Sequence, residues 1–182
     1  MQLSINFDGT YESEEIQLSD LYKLAHVIDL DTFQQALMIH VAGLAIEHNV
    51  GFDEVQPSYV EGDSSDELPI KSQVGMTWVE EVSKLYWHVV VHGDDPDKYL
   101  AYIYNVGWNF FNFDDFERVD DNFHSEFDGD YEEFSREWLE SRGEMPDEHL
   151  EGYFDFEEHG KDVIEGDYTL LDWGYNQYLF SR

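Results

Sequence analysis

The sequence predicts an α+β protein that is mostly helical and acidic, with short β-hairpins at both ends. Two observations give the secondary structure. Apolar residues recur every three or four positions through most of the chain, the spacing of helix faces, and they alternate near both ends, the spacing of strands. A third sets the character of the molecule. Residues 114–167 hold 22 Asp and Glu against Arg118, Arg136, Arg142 and Lys161, a formal charge of −18, yet aromatic and aliphatic residues recur throughout them. Acidic segments that stay unfolded have few aromatics, so this one reads as a folded element that displays negative charge. The chain is expected to divide into an N-terminal α+β module of uncertain fold, residues 1–108, and an acidic domain, residues 109–182.

In chain order, Leu3, Ile5 and Phe7 alternate in QLSINF, and Asp8-Gly9 is a favoured two-residue hairpin turn. Residues 10–18 read as the return strand, at an edge because they carry Glu12, Glu14 and Glu15. Ser19 reads as the N-cap of a helix over Asp20–Ile28, and Asp31 as the N-cap of a core helix from Thr32 to about His48, with Phe33, Leu37, Val41, Leu44 and Ala45 on its apolar stripe. Residues 51–76 read as loop, punctuated by Pro57, Gly62, Pro69 and Gly75. A helix over Thr77–Val91 turns Trp78, Val82, Leu85, Tyr86 and Val89 inward. Pro96 suits a first helical position, Lys98–Val106 reads as a short helix or strand, and Trp108–Phe113 is strongly aromatic.

The acidic segment carries its own punctuation. Asp128 and Asp130 precede a helix that begins at Tyr131. Glu132 and Glu133 suit the positive end of its dipole, Arg142 suits its last turn, and Gly143 suits a left-handed cap. Tyr131, Phe134, Trp138 and Leu139 share one face, while Glu133, Glu137 and Glu140 share another. At about 1.5 Å per residue those three carboxylates lie roughly 6 and 10 Å apart along the axis. Pro146 with Asp147 and Glu148 reads as the start of a further helix towards Leu150 and Tyr153, and Asp155 as the cap of another. Residues 168–180 read as a closing hairpin around Asp172-Trp173-Gly174, and no internal repeat stands out.

Composition narrows the function classes. The 182 residues are 42% hydrophobic and 16% aromatic, enough for a core, and 9 Lys and Arg face 42 Asp and Glu for a formal charge of −33. Such a charge costs stability through self-repulsion. It disfavours nucleic acid and anionic membrane as direct partners and favours a basic protein surface. Duplex DNA of the same charge is about 16 base pairs long. A uniformly acidic halophile surface fits less well, because the first 60 residues hold 10 acids and residues 101–182 hold 23. The chain has no cysteine, so disulfides and thiolate metal sites are excluded. MQLSINFDGTYESEE lacks the basic start and apolar core of a signal peptide, and no apolar run reaches the length of a membrane span. A soluble cytoplasmic protein is expected.

No phosphate-binding loop, dinucleotide fingerprint or nucleophile elbow is present. Carboxylates are so numerous that no pair stands out as an acid–base couple, and neither a catalytic residue nor a cofactor is assigned. His88 and His92 stand at i, i+4 without a third ligand in the spacing. Asp147, His149, Glu151 and Glu158 graze the calcium-loop spacing, with a histidine at the second ligand position. His124, His149 and His159 read as local charge compensation among carboxylates rather than as catalysts.

One pattern is familiar. Phe127-x-Gly129-Asp130-Tyr131-Glu132-Glu133-Phe134-x-x-Glu137-x-x-Glu140-x-x-Gly143, then Pro146-x-x-x-Leu150-x-x-Tyr153-x-Asp155-Phe156-x-x-x-Gly160-Lys161-Asp162, then Tyr178-x-Phe180, resembles the C-terminal region of the ArdA antirestriction family. The resemblance covers roughly residues 110–180 and rests on the order and spacing of these elements together. It implies an elongated, non-enzymatic protein with a DNA-mimic surface. Such a protein, encoded on a phage or mobile element, occupies the DNA-binding groove of a host defence enzyme, with type I restriction–modification favoured. It also implies a homodimer, since the C-terminal region carries the dimer contact in that family.

The phosphate-mimicking residues expected on this reading begin with Asp114, Asp115, Glu117, Asp120 and Asp121. Glu126, Asp128, Asp130, Glu132, Glu133, Glu137 and Glu140 follow around the central helix. Glu144, Asp147, Glu148 and Glu151 lie beyond it, and Asp155, Glu157, Glu158, Asp162, Glu165 and Asp167 complete the set. The alternatives are an acidic partner or chaperone of a basic nucleic-acid-binding protein, a mimic aimed at another DNA-binding defence system such as CRISPR, and a carboxylate-based enzyme or metal-binding protein.

Overall fold

The N-terminal alternation becomes strand β1 (Gln2–Phe7), which buries Leu3, Ile5 and Phe7 completely or nearly so. The computed structural model describes residues 1–7, 12–24, 29–62, 64, 66–70, 77–93 and 95–182. The expected Asp8-Gly9 turn therefore lies outside the described residues. The return strand is β2 (Ser13–Gln17), antiparallel to β1 with Ile16 opposite Leu3. Helix α1 (Leu18–Leu24) begins one residue before Ser19, so Ser19 is inside the helix rather than its cap. Residues 25–28, the expected end of that helix, lie outside the described residues.

Helix α2 (Leu30–Glu47) is capped by Asp29, not by Asp31. The backbone is extended at Asp29, and its Oδ1 accepts from the Thr32 N–H at 2.8 Å and the Thr32 hydroxyl at 2.6 Å. Those bonds, the hydroxyl's first, hold the Asp29 carboxyl below its ordinary value, with slight desolvation working against them. Two aspartates stand two residues apart in the sequence, and only the one with extended backbone can reach the free N–H groups of the first turn.

Residues 51–76 hold strands where loop is expected. β3 (Val55–Glu61) pairs with β1, and β4 (Glu67–Pro69) pairs with β3, giving a sheet of order β2-β1-β3-β4. Pro57 is what hides β3 in the sequence. It sits opposite Ile5 where the register slips between Ser4 and Ile5, at an irregularity that tolerates a residue without an N–H.

α3 (Thr77–His92) and α4 (Pro96–Val106) complete this half, the latter settling Lys98–Val106 as helix. Asp95 caps α4 by accepting from the Asp97 N–H at 2.9 Å. Phe33 of α2 stacks on Tyr86 of α3 with centroids 4.8 Å apart, and burial pushes the Tyr86 phenol up to about 12. The aromatic run packs back on the same helices. Phe116 stacks on His88 at 4.6 Å, and the Trp108 indole donates to Glu81 at 2.7 Å. Burial pushes the Glu81 carboxyl up, against that hydrogen bond. Of the two compact units, Met1–Val119 and Asp120–Arg182, the first therefore takes in residues 109–119.

His48, just past α2, closes the first unit's hairpin electrostatically. Its ring stacks on Phe7 at 4.0 Å, and its nitrogens lie 2.6 Å from Glu12 and 3.3 Å from Glu14. The bond to Glu12 raises the His48 pKa above its ordinary value, with burial opposing and Glu14 assisting. A raised folded value means that the stability His48 contributes is full below the unfolded value of ~6.5 and is lost as pH rises through the folded one. The pH-dependent part of the stability lost in His48→Gln is therefore expected to be largest near pH ~6 and to shrink as pH rises towards ~9, while the contribution of the stack on Phe7 does not change with pH. Denaturant titrations of both proteins across that range check it; a loss that grows with pH would contradict it.

In the second unit, α5 (Glu117–Asn122) leads in from the first and β5 (Phe123–Phe127) follows, a strand inside a segment whose spacing predicts helix throughout. α6 (Tyr131–Arg142) and α7 (Phe156–Asp167) come next, then β6 (Tyr168–Trp173) and β7 (Asn176–Ser181), the expected hairpin. β5 adds to it as a third antiparallel strand, in the order β5-β7-β6. Both ends of the chain thus carry sheets rather than lone hairpins. The helix expected from Pro146 does not form. Leu150 and Tyr153 are 47% and 90% exposed, so it would have no face to bury, and a 3-10 turn at Glu151–Tyr153 stands instead. Phe127, Phe134, Ile164, Tyr168 and Leu179 form one cluster of this unit's core, flanked by Tyr131, Trp138, Val163 and Leu170.

Candidate functional site

The two helices of the second unit are one pattern used twice. Asp130-Tyr-Glu-Glu-Phe-Ser-Arg-Glu-Trp-Leu-Glu140 aligns with Asp155-Phe-Glu-Glu-His-Gly-Lys-Asp-Val-Ile-Glu165 without a gap. It is an internal repeat, where none is expected from hydropathy. Hydropathy periodicity does not show it, because Phe134 and Trp138 are replaced by His159 and Val163. Charge and cap positions show it, because each is kept.

The structure gives equivalent residues equivalent work. Asp130 accepts from the Glu133 N–H at 2.9 Å, and Asp155 accepts from the Glu158 N–H at 3.0 Å. Arg136 pairs with Glu132 at 3.0 Å, and Lys161 pairs with Glu157 at 2.6 Å, both one turn apart. The cations then cross over. Arg136 lies 3.8 Å from the centroid of Phe156, and Lys161 lies 5.6 Å from that of Tyr131. Reciprocal contacts of this kind place the N-terminal halves of α6 and α7 antiparallel, related by a local twofold. At the crossing stand the two small residues of the repeat. Ser135 is fully buried and its Oγ lies 2.8 Å from His159 Nδ1, while Gly160 lies against the backbone of Tyr131.

This arrangement uses up the cations and leaves the carboxylates outward. Arg136 also reaches Glu151 at 3.6 Å, Arg142 lies 3.8 Å from the centroid of Trp138, and Arg182 donates to the Glu165 carbonyl. The hydrogen bond to Glu157 raises the Lys161 ammonium above its ordinary value, so Lys161 stays charged. Asp120–Arg182 carries 20 Asp and Glu against these 4 Lys and Arg, a formal −16. Glu133, Glu137 and Glu140 on α6, and Glu158, Asp162 and Glu165 on α7, are exposed and form no ion pair among the described residues. They are the same three positions of the repeat, so the twofold sets two carboxylate rows in opposite directions.

The other expected residues fall into distinct roles. Asp128, Asp130 and Asp155 are held as caps or turn acceptors, Asp128 by the Asp130 N–H at 2.9 Å. Glu132, Glu151 and Glu157 are in the ion pairs just described. Asp121, Glu126, Glu144, Asp147, Glu148 and Asp167 are exposed without an ion pair among the described residues, and Asp120 is half-buried. Asp114, Asp115 and Glu117 belong to the first unit, where Lys84 bridges Asp114 and Glu80 at 2.7 Å each. Asp172, outside the expected set, is an exposed carboxylate of the hairpin that accepts from Gln177 at 2.6 Å.

The spacings that suggest metal do not gather ligands. The His88 and His92 rings are 4.2 Å apart, but His88 Nε2 faces the Tyr99 hydroxyl at 3.1 Å. Beside them is a cavity of about 420 Å³, walled by Trp87, Phe113 and Phe116. Among the described residues, no group of three or more His, Asp or Glu is placed to hold a metal ion, the residues of the calcium-loop spacing included. No helix among the described residues is long and apolar enough to cross a membrane. Comparison of the chain with protein-family models, with curated proteins and with solved structures gives no match.

Proposed function

We propose that the protein acts without catalysing a reaction, as a DNA mimic that occupies the basic groove of a DNA-binding defence enzyme, with a type I restriction–modification complex as the favoured target. The observation that carries the reading is the α6–α7 pair. Two capped helices with a shared buried crossing hold two antiparallel rows of unpaired carboxylates, while the unit's cations are turned onto rings, carboxylates and a backbone carbonyl. Fixed negative charges in two opposed rows are what a groove shaped for the two phosphate strands of a duplex can accept.

The test is a competition titration. Labelled duplex DNA is held on a type I methyltransferase core, and the protein is added at low and at physiological salt. Displacement near stoichiometry is expected; none at either salt removes type I restriction as the target. DNA sheds condensed counterions when bound, at about 0.9 per phosphate neutralised, whereas the carboxylates hold fewer. The protein's affinity is therefore expected to fall with salt, because steering and ion pairing are screened, but along a shallower log–log slope than that of DNA in the same groove. An equal or steeper slope contradicts the preorganised mimic. Single changes Glu133→Gln, Glu137→Gln or Glu140→Gln are expected to weaken competition by no more than about fivefold, the worth of one screened ion pair.

A further inference from the structure

Helix α2 stands apart in a chain of formal charge −33, because residues 32–46 contain no Asp, Glu, Lys or Arg. One of its faces belongs to the first unit's core, through Phe33, Leu37, Val41 and Ala45. The opposite face is largely apolar as well, with His40 and Glu47 its polar members. Ile39 is 73% exposed and Ile46 78% exposed, and nothing stands within 4 Å of where a Cβ on Gly43 would be. A helix that is hydrophobic all round is a helix that something covers. At about 100° per residue, Ala36, Ile39, His40, Gly43, Ile46 and Glu47 all lie within about 60° of the Gly43 direction.

We infer that this face is the contact between two copies of the chain, with α2 paired antiparallel to its counterpart about a twofold axis at Gly43. Charge selects the occupant. A basic partner is drawn to the carboxylates elsewhere, and apolar Ile39 and Ile46 offer it nothing. Two acidic chains can approach each other only where few like charges meet, and α2 is such a surface. The register supports the same occupant. A twofold at Gly43 reverses height along the helix and sets each flank of the stripe against the same flank of the other copy, so a residue four places before the axis stands within about 1.5 Å of the level of the other copy's residue three places after it. On one flank Ile39 meets the partner's Ile46. On the other flank Glu47, the one acidic residue of the stripe, meets the partner's His40, and both contacts occur twice.

His40 and Glu47 are exposed, and neither has a partner among the described residues of its own chain. Gly43 at the centre lets the two helix axes approach to ~9–10 Å, which with Cα atoms ~2.3 Å from each axis leaves the two Gly43 Cα atoms ~4.4–5.4 Å apart. A single helix pair is small beside the ~800 Å² per partner of a typical stable interface, so dissociation is expected in the micromolar range. The contact is separate from the C-terminal one that the family resemblance implies, and it does not depend on what the acidic unit binds.

The absence of cysteine makes the test direct. Gly43→Cys is expected to form a disulfide-linked dimer on oxidation with copper–phenanthroline, because the two Cα atoms fall within the ~4.4–6.8 Å that a disulfide spans. Gly166→Cys on α7, where a Cβ is equally unobstructed, is the control and is expected to stay monomeric. Sedimentation of the unaltered chain is expected to show a monomer–dimer equilibrium between ~1 and ~100 µM. Ile39→Glu and the milder Ile39→Gln are expected to weaken it at least tenfold and about threefold, with helix content unchanged. The inference is overturned if the unaltered chain is monomeric across that range, if Gly43→Cys cross-links no faster than Gly166→Cys, or if the dimer survives Ile39→Glu undiminished.

Discussion

Gly160→Ala is expected to destabilise the second unit by about 2–4 kcal/mol, and Gly160→Val to prevent it from folding. A Cβ at Gly160 would stand 2.1 Å from the Tyr131 carbonyl oxygen and 2.9 Å from its carbon. Both are backbone atoms of the facing helix, so no side-chain rotation relieves the overlap and α6 and α7 must separate. Their separation would open the cluster around Phe134 and Ile164 and pull Arg136 and Lys161 off the rings they cover. Gly166→Ala is the matched control. It is on the same helix with open space at its Cβ, and it is expected to be neutral or to stabilise by up to about 1 kcal/mol. Denaturant unfolding followed by tryptophan fluorescence separates the two. Equal midpoints for Gly160→Ala and the unaltered chain would mean that the helices do not cross at this residue.

Neutralising both carboxylate rows at once, with Glu133, Glu137, Glu140, Glu158 and Glu165 changed to Gln and Asp162 to Asn, is expected to weaken competition with DNA about 20-fold or more. Each screened pair with a basic groove contributes ~0.3–1 kcal/mol, and ~1.4 kcal/mol is a factor of ten. All six residues are exposed, and the substitutions remove like-charge pairs one turn apart, such as Glu133 with Glu137 and Glu158 with Asp162. The melting temperature is therefore expected to hold or rise. Loss of competition with stability retained identifies the rows as the binding surface; undiminished competition would place it elsewhere. If a single member of the rows abolished competition, binding would depend on a discrete site rather than on collective charge.

Much of the second unit is legible in the sequence because its signals are local. Asp130 and Asp155 cap the helices they precede, and Gly143 takes the left-handed backbone at φ 68°. The closing hairpin follows from alternation over 168–181. Strands β3 and β5 are less legible for a shared reason. β3 contains a proline and β5 is five residues long, and neither is a strand until β1 or β7 supplies its hydrogen-bonding partner. At Pro146 local start signals are present but no helix forms, since tertiary burial and not the cap sustains a short helix. Asp29 in place of Asp31 shows that composition narrows a cap to two candidates and backbone conformation chooses between them.

By itself the sequence determines the charge, its concentration towards the C-terminus, the α+β class, the caps of the acidic helices and the uncharged stretch at 32–46. These depend on residue identity and on neighbours within a turn or two. The tertiary structure alone decides which carboxylates are available. Asp128, Asp130 and Asp155 are engaged by backbone N–H groups, Glu132, Glu151 and Glu157 by cations, and Glu133, Glu137, Glu140 and their counterparts on α7 stand free of such pairs among the described residues. It also decides that the six form two opposed rows, because that relation exists only once Ser135 and Gly160 let the helices cross. An ion pair or a crossing joins residues far apart in the chain, so its partner has no fixed spacing to read.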